Sequence, residues 1–132
     1  MDRLVVDAPE AAIPGGALNP DLDAHAIEAA FHANPAGYAQ FDALLNDEAL
    51  AALQRYCLEA SIWFEMKFHS EVGSSLCNGF CCPLLLQIAA EIRTTFPSVF
   101  GRYLFATCWT YKYFQDDADG HIHADNGAAS VN

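Results

Sequence analysis

Basic residues are scarce in this sequence. Lys and Arg number 6 against 17 Asp and Glu, a formal net charge of −11. Nucleic-acid phosphates and anionic lipid surfaces attract basic proteins, so this imbalance argues against both partners. The chain also lacks an apolar run of the roughly 18 residues needed to cross a bilayer. Residues 1–4 lack the basic-then-apolar order of a secretory signal. We therefore expect a cytoplasmic protein with no nucleic-acid or membrane partner.

The cysteine count is odd. Five are present, so at least one must lie outside any intrachain disulfide. With no export signal, reduced thiols are the expected state. Three of them are clustered, but no second pair follows at a spacing typical of zinc sites. We expect the clustered three to be buried thiols and the other two to belong to the core. The clustered residues are Cys77, Cys81 and Cys82, and the core residues are Cys57 and Cys108.

The length and apolar content predict a single folded domain. The chain has 132 residues, of which 53% are hydrophobic and 17% charged, so an ordinary core is expected. Residues 1–18, with several Pro and Gly among alanines, are predicted to form a flexible N-terminal arm. Residues 19–132 are predicted to form the domain.

Helices are predicted in the first two thirds of this domain. The Asn-Pro-Asp sequence at residues 19–21 is typical of a helix start, and this helix is expected to end at Ala33. Asn46 is predicted to cap a second helix, and Pro83 begins a third that ends before Pro97. The buried face of the second helix is predicted from spacings of three and four. Its members are Leu50, Leu53, Cys57, Ala60 and Phe64.

Strands are predicted mainly in the last third. Residues 103–114 are rich in aromatic and β-branched side chains, and residues 121–125 are predicted to be a returning strand. A short apolar stretch at 38–45 is also read as a strand. Residues 65–82 carry no clear period. The fold class is therefore predicted to be α+β.

The densest chemical motif is His-Ile-His-Ala-Asp at residues 121–125. On a strand, side chains two residues apart share a face, so His121, His123 and Asp125 could converge. Imidazole and carboxylate together suit Fe(II), and His-x-Asp supplies two of the three ligands of a facial triad. Two alternatives stay open: a solvated polar turn, or a cupin-like site built on His-x-His, although no Glu follows the motif.

The surroundings of this motif resemble the start of the catalytic core of Fe(II)/2-oxoglutarate-dependent oxygenases. The resemblance covers residues 38–132 and is most specific in the last dozen. Its elements are a strand ending Tyr-Lys-Tyr at 111–113, an acidic loop, the His-Ile-His-Ala-Asp segment and the Ala-rich stretch that follows. The similarity is strongest to a bacterial branch of the family.

This resemblance implies an N-terminal layer of helices packed on a double-stranded β-helix, or jelly-roll, core. It implies that His123 and Asp125 bind Fe(II) and that Tyr113 hydrogen-bonds the cosubstrate 2-oxoglutarate. His121 has no ligand role in the family. The implied activity is hydroxylation of an organic or protein substrate whose identity the sequence does not reveal.

The sequence departs from the family after Asp125. The family's distal His and its basic 2-oxoglutarate-binding residue follow the motif, whereas the seven residues after Asp125 include no His, Arg or Lys. We therefore expect an oxygenase-like domain truncated at its C-terminus, whose unfinished sheet favours self-association and which turns over no 2-oxoglutarate by itself. The alternative is a non-catalytic fragment or interaction module built on the same scaffold.

Overall fold

Helices and a small antiparallel sheet alternate along the chain in a computed structural model, which describes residues 11–67, 71–113 and 127–132. The helices are α1 (Ala24–Ala33), α2 (Asp47–Glu59), α3 (Pro83–Thr95) and α4 (Pro97–Phe100), and the strands are β1 (Glu65–Lys67), β2 (Glu71–Ser75) and β3 (Trp109–Tyr113). This mixture confirms the predicted α+β class. Three strands do not by themselves make a jelly roll, so that part stays a prediction. None of the described helices is long and apolar enough to cross a membrane.

The first helix begins later than predicted. Asn19 caps a turn instead, because its side-chain oxygen accepts the backbone N–H of Asp21 at 3.0 Å. Asp23 then serves as the N-cap of α1 and accepts from the N–H of Ala26 at 2.9 Å. The helix ends at Ala33, as predicted, because the following Asn-Pro pair disfavours helical backbone.

The second helix buries a face that matches the predicted one only in part: Ala60, its C-cap, is buried, and Leu53 and Cys57 pack against the core. Its buried residues are Ala49, Ala52 and Tyr56, whereas Leu50 is 44% exposed and Phe64, beyond the helix end at Glu59, is 72% exposed. The small alanines allow close approach of the segment before α1, where Ala17 is fully buried. The prediction was wrong for Leu50 and Phe64 and missed Ala49, Ala52 and Tyr56, because close backbone approach at the alanines favours their side of the helix.

The strand predicted over residues 38–45 is absent. The backbone there makes a single isolated bridge, between Leu18 and Leu45, and the N–H of Asn19 bonds to the carbonyl of Leu44 at 2.9 Å. Ala43 has a φ of 55°, a left-handed conformation that interrupts extended backbone. This positive φ explains why an apolar stretch of suitable length does not continue as a strand.

The described sheet has the order β1-β2-β3, with both pairings antiparallel. The β1-β2 hairpin lies in a segment for which no strand was predicted. The third strand is shorter than predicted, because residues 103–108 are not strand. Packing favours Gly73 in β2, because a Cβ there would lie 3.0 Å from the Tyr111 ring and the ring would have to shift. Because Gly73 has no side chain, the Tyr111 ring of β3 can lie directly over it.

The third helix confirms the sequence prediction and also holds residues 13–18. Gln87 accepts from the N–H of Ile13 at 2.6 Å and donates to its carbonyl at 2.9 Å. Glu91 accepts from the backbone N–H groups of Ala17 and Leu18 at 2.8 and 2.9 Å. This part of the predicted arm is therefore attached to α3, while residues 1–10 lie outside the described ranges.

Candidate functional site

The predicted iron ligands and their neighbour in the motif, His123, Asp125 and His121, lie outside the described residues. Tyr113, the predicted 2-oxoglutarate contact, is the last residue of β3 and is 53% exposed. The structure thus describes the strand that leads to the motif and the residue at its end.

One face of β3 carries three exposed aromatic rings, which we call the aromatic face: Trp109, Tyr111 and Tyr113. These residues are 37%, 38% and 53% exposed, and the Tyr111 and Tyr113 ring centroids lie 6.5 Å apart. Their register partners on β2 are Ser75, Gly73 and Glu71. The hydroxyl-bearing Tyr111 and Tyr113 and the carboxylate-bearing Glu71 are therefore on the same face of the sheet.

The opposite face of β3 packs on the segment after α2. Lys112 is half-buried, and its Nζ lies 4.4 Å from the centre of the Trp63 ring, a cation–π contact. Burial raises the pKa of the nearby Cys57 thiol, and the Thr110 side chain on this face offsets part of that rise. Strand alternation predicts that Lys112 points away from Tyr113, and the structure confirms it. Lys112 is therefore not placed to pair with a carboxylate bound beside Tyr113.

Hydrogen bonds organise one carboxylate near the aromatic face. Glu65 of β1 accepts from the Ser75 hydroxyl at 3.2 Å and from the side-chain amide of Asn78. Its register partner is Gly73, the residue covered by the Tyr111 ring. The carboxylate is thus hydrogen-bonded to the end of β2 and to the 3₁₀ turn that follows it, Leu76–Asn78.

Groups of His, Cys, Asp and Glu suited to a metal ion do not occur within residues 11–67, 71–113 and 127–132. One described histidine, His32, has its Nε2 2.9 Å from the Ser98 hydroxyl at an exposed position. The predicted His123–Asp125 pair is not tested by this observation, because both residues fall outside those ranges.

The cysteines are arranged differently from the prediction. All five are thiols outside any disulfide, but Cys77 and Cys81 are exposed, so the expectation that the clustered three are buried holds only for Cys82. The side chain of Cys108 lies 3.5 Å from the carbonyl oxygen of Phe80. A thiol distant in sequence therefore lies beside the clustered pair, which spacing alone did not predict.

Comparisons with protein families, with curated proteins and with solved structures found no match to this chain. The assignment of function therefore depends on the residues described above and on the sequence motif.

Proposed function

We propose that this chain is a domain of an Fe(II)/2-oxoglutarate-dependent dioxygenase that hydroxylates an organic substrate. The observation that carries the proposal is a strand ending in Tyr113, followed ten residues later by the His123-Ala124-Asp125 motif. Imidazole nitrogen and carboxylate oxygen are suitable donors for Fe(II). Bound iron, with 2-oxoglutarate and O₂, would supply the oxidising chemistry.

The exposure of Tyr113 supports a contact with the cosubstrate. Its hydroxyl is a donor on the aromatic face, and the opposite face of β3 is occupied by packing against Trp63. In this proposal the phenol donates a hydrogen bond to a 2-oxoglutarate carboxylate and orients it toward the metal.

The aromatic face also favours a second candidate, an interaction module that uses the same scaffold without catalysis. Aromatic side chains are enriched where proteins contact each other, and Trp109, Tyr111 and Tyr113 are all exposed. The two candidates differ in one measurable property, because only the dioxygenase requires His123 and Asp125 to bind a metal.

Anaerobic titration of Fe(II), or of Mn(II) as its substitute, tests the proposal. We expect His123→Ala and Asp125→Ala each to abolish specific binding, and the matched control His121→Ala to retain it. Equal losses in all three variants would favour the cupin-like ligand set. Absence of specific metal binding in the unaltered chain would favour the interaction module.

The role of Tyr113 has its own measurement. With Mn(II) present, Tyr113→Phe should weaken 2-oxoglutarate binding by about 3- to 10-fold, the effect of losing one hydrogen bond worth about 0.5–1.5 kcal/mol. Tyr111→Phe is the control, because it lies on the same face two residues earlier. An equal loss in both variants would contradict the specific contact of Tyr113.

A further inference from the structure

A loop between the 3₁₀ turn and α3 brings two thiols next to a third from the entrance of β3. The loop carries Cys81 and Cys82, and Cys108 immediately precedes β3. We propose that Cys81 and Cys108 form a thiol–disulfide exchange site, at which a low-molecular-weight disulfide is reduced and an intrachain Cys81–Cys108 disulfide is formed. This proposal is independent of the iron chemistry.

The first argument is proximity. The Cys108 Sγ lies 3.5 Å from the carbonyl oxygen of Phe80. In a planar trans peptide this oxygen is about 3 Å from the Cα of the next residue, Cys81. The Cys108 sulfur is therefore no more than about 6.5 Å from the Cys81 Cα, and movement of the exposed loop would bring the two sulfurs to disulfide geometry.

Hydrogen bonds hold both thiol-bearing segments in place. The Tyr56 hydroxyl donates to the carbonyl of Gly79 at 2.6 Å and accepts from the N–H of Cys81 at 3.2 Å. On the other side, the carbonyl of Cys108 accepts from the N–H of Leu76 at 2.9 Å. Both segments are thus attached to the core near the thiols that would react.

The Cys81 and Cys108 thiols differ in solvent exposure, and this difference determines which of them attacks the external disulfide first. Cys81 is exposed, whereas Cys108 is half-buried. Burial, reinforced by the neighbouring thiols of Cys81 and Cys82, raises the pKa of Cys108 to about 11. A thiol reacts as its thiolate, so the accessible Cys81 attacks first and Cys108 second.

The reaction balances in two exchange steps. The Cys81 thiolate attacks one sulfur of the external disulfide, forming a mixed disulfide and releasing one thiolate. The Cys108 thiolate then attacks the Cys81 sulfur, forming the intrachain disulfide and releasing the second thiolate. Two cysteine thiols are oxidised by two electrons, the external disulfide is reduced to two thiols, and the two cysteine protons pass to the products through water.

Oxidised glutathione is the probe, and intact mass with peptide mapping is the measurement. After incubation at about pH 9, wild type should contain a Cys81–Cys108 linkage and no glutathione on Cys81. Cys108→Ser lacks the resolving sulfur, so it should retain glutathione on Cys81 and contain at least tenfold less intrachain disulfide at Cys81 than wild type. The matched control Cys77→Ser removes another exposed thiol of the same region and should leave the linkage unchanged.

Two results would overturn the proposal, and both can be read in wild type even if a variant folds poorly. One is glutathione retained on Cys81 with no intrachain linkage. The other is a linkage between Cys81 and Cys82, which would exclude Cys108 as the resolving thiol.

Discussion

The carboxylate of Glu91 makes the most specific attachment of residues 13–18, and replacing it tests how that segment is held. One oxygen accepts the N–H groups of Ala17 and Leu18 at 2.8 and 2.9 Å, and the other accepts from the Gln87 amide at 2.7 Å. In Glu91→Gln, either orientation of the new amide turns an NH₂ group toward at least one of these donors. The substitution thus removes both the charge and part of the acceptor capacity.

The cost follows from the strength of hydrogen bonds to charged groups, about 1.5–3 kcal/mol each, with neutral ones about half as strong. Three such bonds are weakened or lost, but Glu91 is partly exposed and water compensates for part of the loss. We expect the free energy of unfolding to fall by about 2 kcal/mol at pH 7. Glu59→Gln, an exposed carboxylate on α2, should change it by less than about 0.5 kcal/mol.

The pH dependence supplies an independent check. Partial burial raises the pKa of Glu91, but the N–H donors of Leu18, Ala17 and Gln87 together outweigh it and hold the pKa below its usual value. A lowered folded-state pKa contributes stability that is present above the unfolded pKa of about 4.3 and is lost as the pH falls through the folded value. The difference between wild type and Glu91→Gln should therefore shrink as the pH falls from about 6 to 3.

Urea unfolding across this pH range measures the difference, and hydrogen exchange at the Ala17 and Leu18 amides locates it. In wild type both amides should be protected, and Glu91→Gln should release them selectively. The reasoning is refuted if the deficit of Glu91→Gln persists unchanged at pH 3, or if Glu59→Gln loses as much stability.

Three further predictions concern the stability of the folded chain. Gly16→Ala should lower the free energy of unfolding by about 1–2 kcal/mol in urea titrations, because Gly16 has a φ of +114°; an unchanged midpoint would contradict this. Tyr56→Phe should cost about 1–3 kcal/mol in the same assay, since it removes a buried hydroxyl bonded at 2.6 Å, whereas Tyr38→Phe, at a site 60% exposed, should cost little. The Cys81–Cys108 disulfide should add up to about 3.6 kcal/mol by closing a loop of roughly 28 residues, measured by urea unfolding with and without a reducing thiol. A destabilised oxidised form would contradict this and would show strain in the disulfide.

Local signals in the sequence were sufficient to predict the position of α3. Pro83 fits the first turn, Pro97 prevents continuation, and the apolar spacing includes the buried Leu85 and Ile88. Each of these signals acts within a turn or two of helix, so no distant partner is needed to interpret them. The same holds for the Asn46 cap of α2.

Tertiary contacts decided the elements that sequence reasoning missed. The face of α2 depends on the approach of Ala17 to the start of this helix, where its carbonyl accepts from the N–H of Asn46 at 3.0 Å; Ala17 and Ala49 are both fully buried. The β1-β2 hairpin lacks an apolar alternation, because Gly73 and Ser74 occupy its buried positions. A small residue signals close approach only when its partner is known, and here the partner of Gly73 is the Tyr111 ring of β3.

The proximity of Cys81 and Cys108 depends on strand register, which explains why spacing could not predict it. Ser75 pairs with Trp109, and the next hydrogen bond joins the N–H of Leu76 to the carbonyl of Cys108. A one-residue slip of β3 would turn its side chains to the other face, and a two-residue slip would move Cys108 by about 7 Å along the strand. Only the observed register leaves this sulfur beside the loop that carries Cys81, so a thiol pair that is remote in sequence becomes a pair able to react.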